Sequence, residues 1–454
     1  MPTLMALGHP ATTPLPQSAR GEIVPSPRFG ERGGGEGQAV FKTMVFNSGL
    51  WKEQRSNLVV PPPNSRQHDT PIGLTSLPPL SLYVHIPWCV RKCPYCDFNS
   101  HEKRGELAEA NYIDALIADL DLSLPNIWGR RVQTIFFGGG TPSLFSAASF
   151  DRLLSEIRAR INLAPDAEIT MEANPGTFEA EKFASYRRIG INRLSIGIQS
   201  FNPTHLKALG RIHDDAEARR AIEIAKDNFD NFNLDLMYAL PHQSLSEALD
   251  DIDAAITFGV PHISAYHLTL EPNTLFYKRP PPLPDHDASA AMQEAIEERL
   301  AQAGYDHYET SAFAKPTHQC KHNLNYWQFG DYLGIGAGAH SKLSFRDRIV
   351  REMRVKHPET YMKRIAEGHN SQDQQIVSVR DLPFEFMMNA LRLIDGFETA
   401  LFPDRTGMPI NVLGPQLKKA EDQQLIIRDS RRIQPTEKGQ RFLNDLLEMF
   451  LLDE

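Results

Sequence analysis

Cysteine is scarce in this chain. There are four among 454 residues, three of them within one stretch of eight. A disulfide framework spreads its pairs along the chain, so this distribution excludes one and fits a reducing compartment with a metal or redox site. Long apolar runs are missing as well. The segment LNDLLEMFLL near the C-terminus is short and carries acids, whereas a membrane-spanning helix needs roughly 20 apolar residues. Positive charge is in short supply: 48 Lys and Arg face 57 Asp and Glu, for a formal net charge of −9. That balance argues against a protein whose main task is to coat nucleic acid. What remains is a chain with 41% hydrophobic residues, longer than one core usually supports, so two or more domains are expected unless one is a barrel.

The first 79 residues differ in kind from the rest. They hold 12 of the 33 prolines and the low-complexity stretch RFGERGGGEGQ, without sustained apolar periodicity. Such a segment buries too little surface to offset its ordering entropy, so residues 1–79 are expected to be a disordered extension. No basic-then-apolar leader pattern is present, and Glu22, Glu31, Glu36 and Glu53 are foreign to an acid-poor transit peptide. A cytoplasmic location follows as an expectation.

From residue 80 the order becomes regular. Six β-rich runs recur, SLYVHIP (81–87), TIFFGG (134–139), EITMEA (168–173), RLSIGIQS (193–200), NFNLDLMYAL (231–240) and HISAYHLTL (262–270), most of them separated by stretches of helical spacing. Alternating strands and helices imply a parallel α/β sheet with right-handed crossovers, and six units suggest an open sheet or an incomplete barrel. Function in such folds gathers at the C-terminal ends of the strands. There the sequence places the three cysteines, then GGGTPS (138–143), Glu172 and Gln199, with Asp235 inside the fifth run. Beyond residue 376, short helices, a brief hairpin and an amphipathic helix from about Thr436 predict a small winged-helix-like unit. The expected organisation is therefore 1–79, a core of 80–375 and a C-terminal domain of 376–454.

Cys89, Cys93 and Cys96 are spaced C-x-x-x-C-x-x-C, and Cys320 is far along the chain. A structural zinc would close its tetrahedron with four ligands. Three thiolates in one loop suit a [4Fe–4S] cube with one iron left open. Buried structural cysteines and zinc are the alternatives. CVRKCPYC resembles the signature of the radical S-adenosylmethionine superfamily, with Tyr95 in its aromatic slot. The resemblance implies a partial (βα)6 TIM-like barrel in which the open iron chelates S-adenosylmethionine. In that reading GGGTP receives the methionine amino group. The resemblance further makes Tyr83, Gly139, Gly140, Thr141, Glu172, Gln199, Arg211 and Asp235 the contacts of S-adenosylmethionine.

Two branches of the superfamily come into question, the oxygen-independent coproporphyrinogen III dehydrogenase (HemN) type and the HemW-type heme chaperones. The dehydrogenase pattern places a further cysteine two residues after the third, where this chain has Phe98. HIPWCVRKCPYCDFNSH, MEANPGT, FNLDLMYALP and EPNTLF resemble the HemW type, and CKHNLNYW (320–327) fits its H-N-x-x-Y-W motif. This implies heme as cargo, with His322 as its contact and recipient hemoproteins, respiratory ones among them, as partners. Imidazole, thiolate and phenolate all ligate heme iron, so Cys320 and Tyr326 are secondary candidates, and a hydrogen-bonded core histidine is the ordinary alternative. The cationic run Arg346, Arg348, Arg351, Arg354 and Lys356 suits heme propionates or an exposed hairpin face, the latter preferred because acids interrupt it. No nucleic-acid partner is expected. A homodimer and a peripheral membrane contact stay open, as does coproporphyrinogen dehydrogenase activity.

Overall fold

The structure is a computed structural model that describes residues 72–177 and 180–451. The expectation of disorder over residues 1–71 lies outside the described residues.

All six β-rich runs form parallel strands: β1 (Leu80–Ile86), β2 (Arg131–Gly139), β3 (Asn162–Ala173), β4 (Arg193–Gln199), β5 (Phe232–Tyr238) and β6 (His262–His267), paired in sequence order. The runs look continuously apolar because both faces are buried, yet they alternate. Leu80, Leu82, Val84 and Ile86 of β1 join the main hydrophobic core, as do Leu194, Ile196 and Ile198 of β4 and Phe232, Leu234 and Leu236 of β5. This outer face is covered by helices, among them α1 (Glu109–Ile127) and α2 (Ala147–Arg160). Period two then turns Ser81, Thr134, Glu168, Arg193, Asn233 and His262 to the inside, together with Tyr83, Phe136, Glu172, Ser195 and Asp235 further up the strands. The interior is thus largely polar, unlike the apolar layers that fill many barrels.

The sheet is larger than six strands. On the β6 side a hairpin is added, β7 (Asp306–Glu309) and β8 (Ala312–Ala314). On the other side β9 (Asp331–Ile335) runs parallel to β1, followed by antiparallel β10 (His340–Ser344), β11 (Ile349–Met353) and β12 (Asp373–Ile376). The order is β12-β11-β10-β9-β1-β2-β3-β4-β5-β6-β8-β7, twelve strands in all. β1 is therefore an inner strand. Its neighbour β9, DYLGI, is too short and glycine-bearing to stand out in the sequence. Helix α3 (Lys321–Trp327), within the H-N-x-x-Y-W stretch, immediately precedes β9.

After β12 a second hydrophobic cluster begins, built from Val377, Leu382, Phe386, Phe402, Leu417, Ile426, Leu446 and others around a three-stranded antiparallel sheet. Hairpin Ile426–Arg428/Arg432–Pro435 and the helix capped by Thr436 match the winged-helix-like expectation. One boundary needs correction. Ile72 and Leu74, assigned by composition to the disordered extension, are buried in this C-terminal cluster, and the amide of Leu74 donates to the carbonyl of Arg346 at 3.1 Å. Two apolar residues among prolines give no periodic signal.

The cationic run is corrected too. Arg346, Arg348 and Lys356 are exposed, but Arg351 pairs with Glu385 at 2.7 Å. Arg354 is fully buried, with Nε donating to Asp119 at 3.0 Å and Nη1 to Glu352 at 3.1 Å. Burial outweighs Arg354 and holds the Asp119 carboxyl above its ordinary pKa, even though Gly336 and Tyr361 also donate to it. Among the described residues no helix is long and apolar enough to cross a membrane. Replacing Arg354 by Met strands the Asp119 carboxylate, and chemical denaturation is expected to show a loss of about 3–5 kcal/mol. An unchanged midpoint would show that the pair carries no net stability.

Candidate functional site

A cleft opens at the C-terminal ends of the parallel strands. It spans about 1030 Å³ including its solvent-filled mouth, at the upper end of the roughly 300–1,000 Å³ usual for ligand sites. Cys89, Cys93 and Cys96 line it together with Gly139, Gly140, Thr141, Glu172, Gln199, Arg211 and Asp235. Ten of the eleven residues assigned to the cluster and to S-adenosylmethionine are thereby brought to one place. Tyr83 is the exception. It is buried behind the wall, where its ring packs beside Gly138 and Glu172 and its hydroxyl meets His85 Nδ1 at 3.0 Å.

The local backbone explains the arrangement. Strand β2 leads into the turn Gly138–Gly140, where the amide of Gly140 donates to the carbonyl of Ile86 and that of Thr141 to Trp88, both at 2.7 Å. Those bonds clamp the glycine loop against the residue before Cys89. Gly139 has φ of +117°, and a side chain at Gly140 would run into the Trp88 backbone, so the close approach requires glycine. The amide of Gly139 donates to Glu172 Oε2 at 3.0 Å. Gln199 sits at a β-bulge with φ of +70°. A non-glycine residue held there costs about 1–3 kcal/mol, and bulges re-aim side chains beside active sites. Arg211 donates to the Gly197 carbonyl at 2.6 Å and approaches Cys93 Sγ at 3.7 Å.

Electrostatics mark the floor. Burial, reinforced by Asp235, raises the Glu172 carboxyl to about 7, and burial raises Asp235 to about 6. Burial pushes the Cys96 thiol up to about 12 and raises Cys89 as well. Such thiols ionise more readily beside a positive charge of the kind a bound metal would supply. Among the described residues no three His, Cys, Asp or Glu side chains converge on a point suited to a single metal ion. Three thiols facing one cleft without a fourth protein donor beside them suit three irons of a [4Fe–4S] cube.

His322 lies elsewhere. Its side chain points into the barrel near the N-terminal ends of the strands, fully buried, with its ring 5.1 Å from those of Phe136 and Tyr326. Thr134 spends its proton on Ser81 Oγ at 2.8 Å and so accepts from His322 Nδ1 at 2.7 Å. The lone pair of Nε2 is left without a partner among the described residues. That is the tautomer a metal ligand requires, but a porphyrin has no access to it here. The expected heme contact is therefore enclosed in this structure, while its chemistry suits the role. Cys320 is equally buried beside Glu168, which burial and that carboxylate hold as a thiol, and burial raises the Tyr326 phenol. Neither presents an anionic ligand. Sequence reasoning missed Ser195, Gly197 and Tyr266 in the cleft wall. The period-two position of Ser195, in register with Glu172 and Gln199, was the available signal.

The fold and this cleft define the class, a radical S-adenosylmethionine protein, and the comparisons agree. The Radical SAM superfamily model matches residues 83–255, and the HemN C-terminal domain model matches residues 377–442. Among solved structures, coproporphyrinogen III oxidase (HemN) from Escherichia coli superposes with a TM-score of 0.71 at 23% identity, covering 83% of this chain and 90% of that one. This supports the fold. The heme chaperone HemW of Escherichia coli is 52% identical over 84% of this chain and all of its own length, and that of Haemophilus influenzae 50% over the same shares. HemW of Lactococcus lactis is 35% identical over 83% of this chain and 98% of its own. The chain belongs to the HemW family. Its superfamily uses a [4Fe–4S] cluster and S-adenosylmethionine, and the cleft residues suit both. Gly140→Ala is expected to push the Trp88 backbone and the cysteine loop apart, so that reconstitution incorporates markedly less iron and sulfide per chain. Full incorporation would show that the loop yields.

Proposed function

We propose that this protein is a heme chaperone, which binds heme and hands it to recipient hemoproteins, with the [4Fe–4S] cluster and S-adenosylmethionine held in the cleft. The observation that carries the reading is likeness to HemW proteins over their full length and 84% of this chain, at up to 52% identity, joined to Phe98 in the cleft wall at the position where the dehydrogenase pattern has its further cysteine. On this reading Cys89, Cys93 and Cys96 hold the cluster, and Gly139, Gly140, Thr141, Glu172, Gln199, Arg211 and Asp235 hold S-adenosylmethionine. Tyr83 acts from behind Glu172. A bound cluster would supply one-electron chemistry toward a sulfonium, and this chain's residues would hold the cofactor beside it. His322 serves as heme ligand through Nε2 after α3 leaves its seat. The functional division falls near residue 375, with the cofactor cleft before it and the winged-helix-like unit after it.

Hemin titrated into anaerobically reconstituted protein is expected to give a saturable Soret change, and His322→Ala with its cluster intact is expected to weaken it. Saturation unchanged by the substitution removes His322 from the heme site. Absence of saturation, or formation of protoporphyrinogen from coproporphyrinogen III, overturns the chaperone reading in favour of an enzyme.

The floor carboxylates make cofactor binding pH-dependent. Glu172 and Asp235 attract the ammonium and sulfonium charges only when ionised, so affinity is full above both values and falls as pH drops through about 7 and then about 6. Glu172→Gln should abolish the upper step and weaken binding at pH 8 about tenfold, a loss of about 1.4 kcal/mol. Calorimetric titration across this range tests it, and a flat profile in the unmodified protein would sink the assignment.

A further inference from the structure

The polar barrel interior contains a chain of hydrogen bonds that no role described so far uses. It starts in the cleft at Asp235 and ends at the N-terminus of α3. Asn233 Nδ2 donates to Asp235 Oδ1 at 2.8 Å. Since the carboxylate needs a donor, the amide oxygen of Asn233 faces the other way, and it lies 2.6 Å from His262 Nδ1. His262 therefore carries its proton on Nδ1, and burial keeps the ring neutral by holding its pKa well below the ordinary value. Its Nε2 must accept, and the hydroxyl of Tyr308 donates to it at 2.8 Å. The oxygen of Tyr308 in turn accepts from the backbone amide of Cys320 at 3.2 Å.

Every donor in this series points toward Asp235. Aligned hydrogen bonds in a low-dielectric interior polarise one another, so a change of charge or position at one end is felt at the other. Ser195 and Ser264 anchor the middle, donating to Asp235 Oδ2 and Asn233 Oδ1 at 3.0 Å each. Asn233, His262, Cys320 and the Tyr308 ring are buried, so water does not short-circuit the path.

The far end is poised to move. Helix α3 is fixed at its start by Glu168, which accepts from the amides of Lys321 and His322 at 3.2 and 3.1 Å. Along its seven residues, His322 Nε2, Asn323 Oδ1, Tyr326 OH and Trp327 Nε1 are all buried without a protein partner among the described residues. A helix carrying that many unmet polar atoms gains partners when it leaves its seat. We infer that Asn233, His262 and Tyr308 are positioning residues that couple the occupancy of the cleft at Asp235 to the seating of the Lys321–Trp327 helix. The inference rests on the cofactor reading of the cleft, and it deepens that reading by naming the path through which cofactor controls the helix bearing His322.

Amide hydrogen exchange followed by mass spectrometry on the full, reconstituted chain tests this with S-adenosylmethionine as the probe. In the unmodified protein the cofactor should slow exchange of peptides covering residues 320–327 about fivefold or more, the lower end of typical coupling between sites. Tyr308→Phe keeps the ring and removes the linking hydroxyl. It should leave helix exchange insensitive to the cofactor and weaken cofactor binding severalfold. Tyr305→Phe loses another buried hydroxyl bond, to the Val260 carbonyl at 2.6 Å, but lies outside the chain and should behave as the unmodified protein. Equal protection in Tyr308→Phe and the unmodified protein, or protection lost equally in Tyr305→Phe, overturns the coupling. Failure of the unmodified protein to bind S-adenosylmethionine overturns the cofactor reading along with it, whereas binding without any change at residues 320–327 overturns the coupling alone.

Discussion

Alternation along six parallel strands governs this molecule. The outward residues are aliphatic or aromatic and are sealed by helices, so the inward residues are withdrawn from bulk water except where the cleft opens. Polar groups in such a place must satisfy one another or bind a ligand. Here the upper inward positions, Glu172, Gly197, Gln199 and Asp235, open into the cleft. The lower ones, Ser81, Thr134, Glu168 and His262, are met by side chains and amides of the segment Tyr308–Trp327, and Asn233 joins His262 to Asp235. One geometric rule therefore makes both the cofactor site and the seat of the H-N-x-x-Y-W helix. It leaves them as two ends of one polar column.

The cleft shows how a fold converts spacing into chemistry. A cysteine loop after β1 and a glycine loop after β2 are adjacent because β1 and β2 pair, with Ile86 opposite Gly139. The glycine loop can lie flat only because it lacks side chains. Burial raises the carboxyl and thiol groups facing the cleft, a state that favours cationic occupants. A metal cluster and a sulfonium cofactor are cationic partners of the matching kind.

Much of this was legible in the residues themselves. The six strands, the rim position of the cysteines, the glycine loop, Glu172 and Asp235 all followed from runs, periods and one recognisable spacing. The parts that were not legible depend on tertiary context. β9 is five residues with no pattern of its own, and it earns its place only by pairing with β1 and β10. Arg354 looked like a member of a surface charge run, because nothing local shows that Asp119, 235 residues earlier, waits for it. His322 was recognised as a motif residue, but its enclosure by Phe136 and Thr134 comes from a strand distant in sequence. The inward alternation of Asn233 and His262 was visible in FNLDL and HISAY, and only the structure shows that the two touch.

The segment Ile72–Leu74 has a temporal meaning. These residues precede the whole sheet, yet the hydrophobic cluster they join is built mainly from the C-terminal unit, Phe402, Leu417 and Leu446 among its members, and Gly407 packs against Gly73 with no room for a side chain. During synthesis the sheet can assemble while this segment waits on the ribosome-distal side for some three hundred residues. Its docking closes the chain into a loop, so a unit that emerges after the sheet is the one that locks the first described residues in place.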